Sequence, residues 1–468
     1  MSSKTKKILW YNLAFMAFST VWGFGNVING FSEYGGLKAI VSWILIFVIY
    51  FVPYALIVGE LGSAFKEEGG GVSAWIKRTV GPAVAYYAGW TYWIVHMPYI
   101  SQKPQGAVIA TMWAIFHDNR ISTMNPMLLQ GICLVIFLAA LFVASRGLNP
   151  LKKLATIAGS SMFVMSILFI LMMIAAPHLT HGTFNHIDWS LKNFIPKFDS
   201  NFFLSLSILV FAVGGCEKIS PYVNKMENPS QNFPKGMIAL AGMVAVTAIL
   251  GTIALGMMFD SNNVPADLMT NGAYYAFQKL GSYYHLGNVF VVLYAITNLI
   301  GQIAVLIMSI DAPLRILLES TDENYIPAFM FKQNKYGAYT NGHKLIAVIV
   351  SILIIIPAIG IGSVDVMVRW LVKLNAVCMP LRYLWVFFAY IALKKAGDKF
   401  ESEYKMTRSK TLGILIGAWC FLFTAFACVL GMWSTDPFQL AMNIITPCLF
   451  LILGLIMPMI AKRQKENA

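Results

Sequence analysis

Ser19-Thr20-Val21-Trp22-Gly23-Phe24-Gly25-Asn26 and Phe211-Ala212-Val213-Gly214-Gly215-Cys216-Glu217 each interrupt a long apolar run near its middle. Glycine weakens a helix by about 1 kcal/mol relative to alanine. Irregular backbone at membrane depth persists only where it lines a cavity or is buried in protein. Read singly, either glycine pair could serve close helix packing of the small-xxx-small kind. Two breaks at matching places favour an inverted repeat with a binding site between its halves. Amides freed at a half-helix N-terminus turn positive partial charge toward a carboxylate, and freed carbonyls on the other half attract an ammonium. The two breaks together predict a receptor for a zwitterion. Gly23, Gly25, Gly214 and Gly215 are expected to expose the backbone, with Thr20, Phe24, Phe211, Val213 and Cys216 as pocket walls.

Outward from the breaks, the composition is that of a membrane protein. Of 468 residues, 58% are hydrophobic and 12% charged, with a mean hydropathy of +0.67. Soluble domains run at about 45–50% apolar and about 25% charged, so soluble multidomain enzymes, disordered scaffolds and disulfide-stapled modules are excluded. A span needs about 20 apolar residues. Twelve segments qualify: 8–31, 37–62, 82–116, 126–145, 152–176, 201–225, 235–259, 286–317, 344–360, 364–394, 410–431 and 438–461. The expected fold is an all-α polytopic membrane protein of about twelve helices. The breaks fall in spans 1 and 6, so spans 1–5 (1–176) match spans 6–10 (201–394), with two spans appended (410–461) in one transmembrane domain, 1–468. The N-terminus imitates a signal peptide but lacks a small-x-small cleavage site, and it reads as a retained first span. All six cysteines lie in apolar segments with no CxxC pair, which points to packing and away from disulfides or a metal site.

The net charge of +13 is explained by topology and not by nucleic acid. With the N-terminus cytoplasmic, the loops and tails assigned to that side hold 24 Lys and Arg, and the opposite loops hold only Lys38, Arg120, Lys192, Lys197 and Lys279. The positive-inside rule therefore predicts a multi-pass protein of the plasma (inner) membrane with both termini cytoplasmic.

Two longer motifs carry a family likeness. VGELGSAFKEEGGGVSAWIKRTVGP (58–82) has an acidic-leucine pair, a Gly-Gly pair and an amphipathic stretch ending in a basic pair and glycine. FAVGGCEKISPYVNKMENPSQNFPKGM (211–237) has a Gly-rich break, an acidic residue and an Asn-Pro loop closed by Pro-basic-Gly. Both resemble signatures of the amino acid–polyamine–organocation (APC) superfamily, and the general look is similar to its glutamate/GABA antiporter branch. That resemblance implies a LeuT-type fold of five plus five inverted helices plus two. It also implies movement of amino acids by alternating access, with spans 1, 2, 6 and 7 rocking against the rest. The first break departs from the usual small-residue run by reading Gly-Phe-Gly-Asn. Span 8 offers only Ser309 as a hydroxyl in GQIAVLIMSIDAPLR, so sodium coupling lacks support.

Ionisable side chains inside spans mark function by default. Lys103 in YISQKPQGA is expected to carry a proton, to stand in for a sodium ion, to meet a substrate carboxylate, or to form a buried pair with Glu217. Pro104 beside it is expected to bend the helix. Glu217 follows the second break and reads as a gate, a proton site or a cap. Lys218 should project away toward the cytoplasmic vestibule. Asp365, Arg369 and Lys373 recur every fourth residue along span 10, and Arg369 is expected to pair with Glu33 as an outer gate or with Asp365 on its own helix. Tyr274-Tyr275 and Tyr283-Tyr284 read as an outer-loop lid. The cationic excess leans toward neutral or acidic amino acids or GABA-like compounds, exchanged for a second amino acid or amine or driven by protons. No catalytic set, metal site, cofactor motif or nucleic-acid patch is present. A membrane channel or a membrane-embedded enzyme remains as the alternative class.

Overall fold

The computed structural model describes residues 7–69, 71–146, 149–360 and 362–466. Lys4, Lys6, Gly70 of the 58–82 motif and the last two residues lie outside them. Helices α1 (Trp10–Val21) and α2 (Phe24–Glu33) form the broken first span, α3 (Gly36–Ala64) the second, and α5 (Pro82–Ile94) with α6 (His96–Phe116) the third. Between them, α4 (Gly71–Thr79) is the short amphipathic helix of the 58–82 motif. Spans 4 and 5 are α7 (Pro126–Ala144) and α8 (Asn149–Leu179). Span 6 is α9 (Leu206–Val213) followed by an unwound 3-10 segment, Cys216–Lys225. Then come α10 (Pro229–Gly256), α11 (Leu268–Tyr283), α12 (Val289–Ser320), α13 (Thr340–Gly360), α14 (Val364–Cys378), α15 (Leu381–Ala396), α16 (Lys410–Gly431) and α17 (Pro437–Glu466).

Among the described residues, ten stretches are long and apolar enough to cross a membrane. The first and third spans complete the expected twelve as split pairs, one broken at Trp22–Gly23 and the other at Val95. Helix starts follow local chemistry: the Asn125 side chain accepts from the amides of Met127 and Leu128, Ser363 from Val366, and Ser409 from Leu412. Each satisfies donors that have no partner inside the helix. Pro104 does not break its helix, since α6 runs through it unbroken.

Polarity is arranged inside out. Val135, Leu171, Leu422 and Val429 are each more than 60% exposed on the outer helices, the side a bilayer would cover. Glu60, His96, Glu217, Asp311 and Arg382 are buried. Helix α12 packs along α6 and α8, while α10 packs along α3 and α1. The unwound segment after the second break packs on α1, α3, α4 and α10.

The stretch 260–285, expected as loop, contains α11. Leu268, Ala276, Phe277 and Leu280 are buried at helical spacing, so a narrow apolar stripe docks it on α2, α12 and α14. Its polar face (Gln278, Lys279) hid that stripe from a reading that sought membrane spans.

Candidate substrate site

The two breaks are built differently. At the first, Trp22 and Gly23 are extended, with φ of −129° and −157°, a backbone open to any residue. Glycine is there for space. A Cβ on Gly25 would meet nothing within 4 Å, and one on Gly23 would meet only the flexible Met162 Cε at 2.9 Å. At the second, Gly215 has φ +113°, where a side chain is strained. A Cβ on Gly214 would fall 2.1 Å from the Tyr383 ring. Asn26 joins the breaks, its Nδ2 donating to the carbonyls of Val21 and Ala212, each at 3.3 Å.

A cavity of about 220 Å³ lies between them. Thr20, Gly23, Gly25, Phe211 and Gly214 line it, as do Lys103 and three elements that bring further polar groups. Helix α6 adds Tyr99 and Gln102, α12 adds Asn298 and Gln302, and the start of α15 adds Arg382. Tyr274 of α11 lines it as well, stacked on Trp113 at 5.2 Å and donating or accepting nothing but the Asn298 amide at 2.8 Å among its described side-chain partners. The expected lid thus contributes one of its four tyrosines to the cavity wall. Phe24, Val213 and Cys216, expected as walls, and Gly215, expected to expose its backbone there, do not line the cavity. Phe24 is packed among Phe169, Phe277 and Tyr294, and Val213 and Cys216 are fully buried. Successive residues of a helix face different ways, so alternate positions at each break face protein and not the cavity.

Glu217 does not pair with Lys103. It faces Arg382, with Nε 3.3 Å from Oε1, and accepts from the hydroxyls of Tyr54 and Tyr92. Arg382 reaches His96 Nε2 at 2.6 Å and the Tyr383 hydroxyl at 3.3 Å. Spans 2, 3, 6 and 10 are therefore tied through one buried ion pair. Lys103 instead lies over the Tyr99 ring, 4.3 Å from its centroid, and Lys218 lies over the same ring at 4.7 Å. Both line the cavity, and neither has an ion pair among the described residues. Lys218 faces the substrate cavity and not the vestibule alone because the chain after the break is a 3-10 turn, which rotates each side chain further than an α-helix does.

The expected outer gate is arranged otherwise. Arg369 is exposed and donates to the Ala266 carbonyl at 2.7 Å. Glu33 accepts from Ser205 at 2.7 Å, and Asp365 accepts from Ser122 at 3.2 Å. Glu33 pairs with no Arg369 and Asp365 with none on its own helix; Glu33 and Lys373 instead line one outer cavity of about 580 Å³. Arg382, Asp311 and Glu60 went unnamed as intramembrane charges. Cation bookkeeping would have found the first: once the loops are counted, five Lys and Arg remain in spans, and the fifth is Arg382.

Comparison with known proteins matches this arrangement. The family model described as "Amino acid permease" covers residues 8–456. The aspartate/glutamate permease AcaP of Lactococcus lactis subsp. cremoris is 51% identical over 99% of this chain and 97% of its own length. A glutamate/gamma-aminobutyrate antiporter of L. lactis subsp. lactis is 21% identical over 85% of this chain and 78% of its own. The crystal structure of MhsT in complex with L-phenylalanine overlays with a TM-score of 0.57 at 14% identity, covering 92% of this chain and 98% of that one, which shows the shared LeuT-type fold. This chain belongs to the amino acid permease family of the APC superfamily, and it is a multi-pass membrane protein that works as a secondary amino-acid transporter.

Proposed function

We propose that this transporter carries acidic amino acids, L-aspartate and L-glutamate, and that the observation carrying this reading is the pair of unpaired lysines, Lys103 and Lys218, at one end of the zwitterion cradle. The α-carboxylate takes the amides that open α2 at Phe24 and Gly25, and the ammonium takes carbonyls left free where α1 ends. A second carboxylate then reaches the two ammonium groups, where a charge-assisted contact is stronger than a neutral one. Arg382 is already neutralised by Glu217, so it adds no net charge. The name of the 51% identical relative, an aspartate/glutamate permease, supports the same substrate class. Counter-transport of a second amino acid or amine, supported by the antiporter relatives, completes the cycle, with protons as the other driving ion. The basic end of the bundle faces the cytoplasm of the plasma (inner) membrane, and both termini lie there. Spans 1, 2, 6 and 7 rock about the two breaks, and Glu33, Arg369 and Lys373 sit at the outer entrance.

Purified protein in liposomes preloaded with unlabelled L-glutamate tests this. The expected result is saturable uptake of labelled L-aspartate that is stimulated by the internal amino acid and outcompeted by glutamate, but not by GABA or lysine. Unsaturable flux would instead mean a channel, and chemical conversion of the substrate an enzyme.

A further inference from the structure

Among the described residues, a charge cluster between α12 and α13 sets two carboxylates against one arginine. Asp311 is fully buried, and its Oδ2 accepts from Arg315 Nε at 2.6 Å. The same guanidinium donates to Glu319 at 3.1 Å and to the Gly337 carbonyl at 2.8 Å. One arginine thus serves two carboxylates. Asp311 Oδ1 has no hydrogen-bond partner, and 3.5 Å from it lies His343 Nε2, at the start of α13. The His343 side chain is 6% exposed, and neither of its ring nitrogens has a hydrogen-bond partner. An acceptor without a donor therefore faces an imidazole that becomes a donor on both nitrogens when protonated.

Among the described residues, no further ion pair reaches His343 or Asp311. Lys344 follows it on α13, and α7, which packs along α13, carries no acidic or basic side chain. Helix α6, also against α13, contributes only His96, at the small neighbouring cavity, and Lys103, at the substrate cavity. From α12 come Asp311, Arg315 and Glu319 themselves. The 3-10 turn Ala328–Phe331 has no charged residue. Tyr222 of the unwound segment lies within reach of the Asp311 charge.

We propose that His343 and Asp311 form a proton-binding site on the inner side of the substrate cavity. A proton taken from water bonds to His343 Nε2, closes an ion pair to Asp311 Oδ1, and brings Asp311, Glu319, Arg315 and His343 to zero net charge. Asp311 is already paired with Arg315 through Oδ2, so what the proton adds is a donor for the buried, unsatisfied Oδ1, and imidazole is the side chain that changes charge near neutral pH. The site also sits where it can act. A small cavity of about 50 Å³ adjoins the substrate cavity and shares Thr20 and Lys218 with it; Tyr222, Ala312, Pro313 and Ile316 also line it. Asp311 immediately precedes that wall. Protonated His343 draws Asp311 toward α13, and with it the Ala312 and Pro313 wall of the small cavity that Tyr222 also lines, which alters the packing around the inner half of span 6. Acidic internal pH then speeds exchange.

Two measurements test this. Histidine ¹⁵N signals of the full-length protein in nanodiscs, without substrate, are followed through pH and compared with His343→Gln. The signal lost in the variant should pass from the neutral to the protonated pattern as pH falls, and Asp311→Asn should displace that change. A His343 signal that stays neutral to pH 5, or a midpoint that Asp311→Asn leaves in place, overturns the proposal. In liposomes, L-aspartate exchange should rise about three-fold or more as internal pH falls from about 7.5 to about 5.5, and His343→Gln should flatten that profile. An unchanged profile in a variant that still exchanges aspartate overturns the coupling. The transport arm rests on the acidic-substrate reading and the titration does not, so the two readings fail separately.

Discussion

At the scale of single residues, the two breaks separate glycines that hold backbone from glycines that hold space. Gly214→Ala should cost about 1–3 kcal/mol, the usual range for overpacking, because its Cβ meets the Tyr383 ring, itself held by Arg382. Thermal unfolding in detergent checks this. Gly25→Ala should leave stability alone, since its Cβ meets no atom, but should raise the KM for aspartate about ten-fold by occupying the cavity. Glu217 and Arg382 make a second contrast. Either Glu217→Gln or Arg382→Met alone should cost about 3–5 kcal/mol by stranding a buried charge, and the double variant should recover part of that loss. If the double variant unfolds at the sum of the two singles, the ion pair is not what holds the four spans together. These residues also show how far sequence reading reaches. Glycine at 23, 25, 214 and 215 was legible, because membrane helices have few other reasons to break in matched places. Which residues beside them face the cavity was not, because that depends on the chain leaving the second break as a 3-10 turn. Lys218 at the substrate cavity, and Cys216 away from it, follow from that turn.

At the scale of elements, the acidic-leucine pair of the 58–82 motif acquires a structural role. The Glu60 carboxylate accepts from Lys394 at 2.5 Å, from the Tyr390 hydroxyl at 3.1 Å and from the Met406 amide at 2.9 Å. It pins the segment linking α15 to α16 across the end of α3. Glu60→Gln should loosen that segment, seen as faster amide hydrogen exchange over 400–409, and lower stability by about 3–5 kcal/mol. Unchanged exchange in the variant would show that Glu60 does not pin it. The span pattern was legible at this scale because twelve apolar runs dominate the sequence. Helix α11 was not, since an amphipathic helix buried on one stripe carries less hydropathy than a span. The pairing of charged residues was not legible either. Helical spacing placed Asp365, Arg369 and Lys373 on one face, but partners come from other elements: Ser122, the Ala266 carbonyl and the outer cavity with Glu33.

At the scale of the whole molecule, a hydrophobic excess and a charge shortage describe one arrangement. Exposed leucines and valines face outward, and the few charges admitted to the interior are either paired, as in Glu217–Arg382 and Glu60–Lys394, or left open at a cavity, as in Lys103 and Lys218. The distribution of loop cations predicts an orientation by the positive-inside rule. A cysteine placed at Ser402 should react with a membrane-impermeant thiol reagent only after cells are opened, and one at Asn262 should react in intact cells. The reverse pattern would invert the topology.

The role proposed for the two unpaired lysines is to select a second carboxylate. L-aspartate and L-asparagine differ by that charge and by little in size, so their relative affinities in nanodiscs measure it directly. The account predicts that the protein binds aspartate at least about ten-fold more tightly than asparagine, as the loss of one charge-assisted hydrogen bond implies, and that Lys103→Gln with Lys218→Gln brings the ratio close to one. Equal affinity in the unaltered protein, or a preference that survives both substitutions, would contradict it.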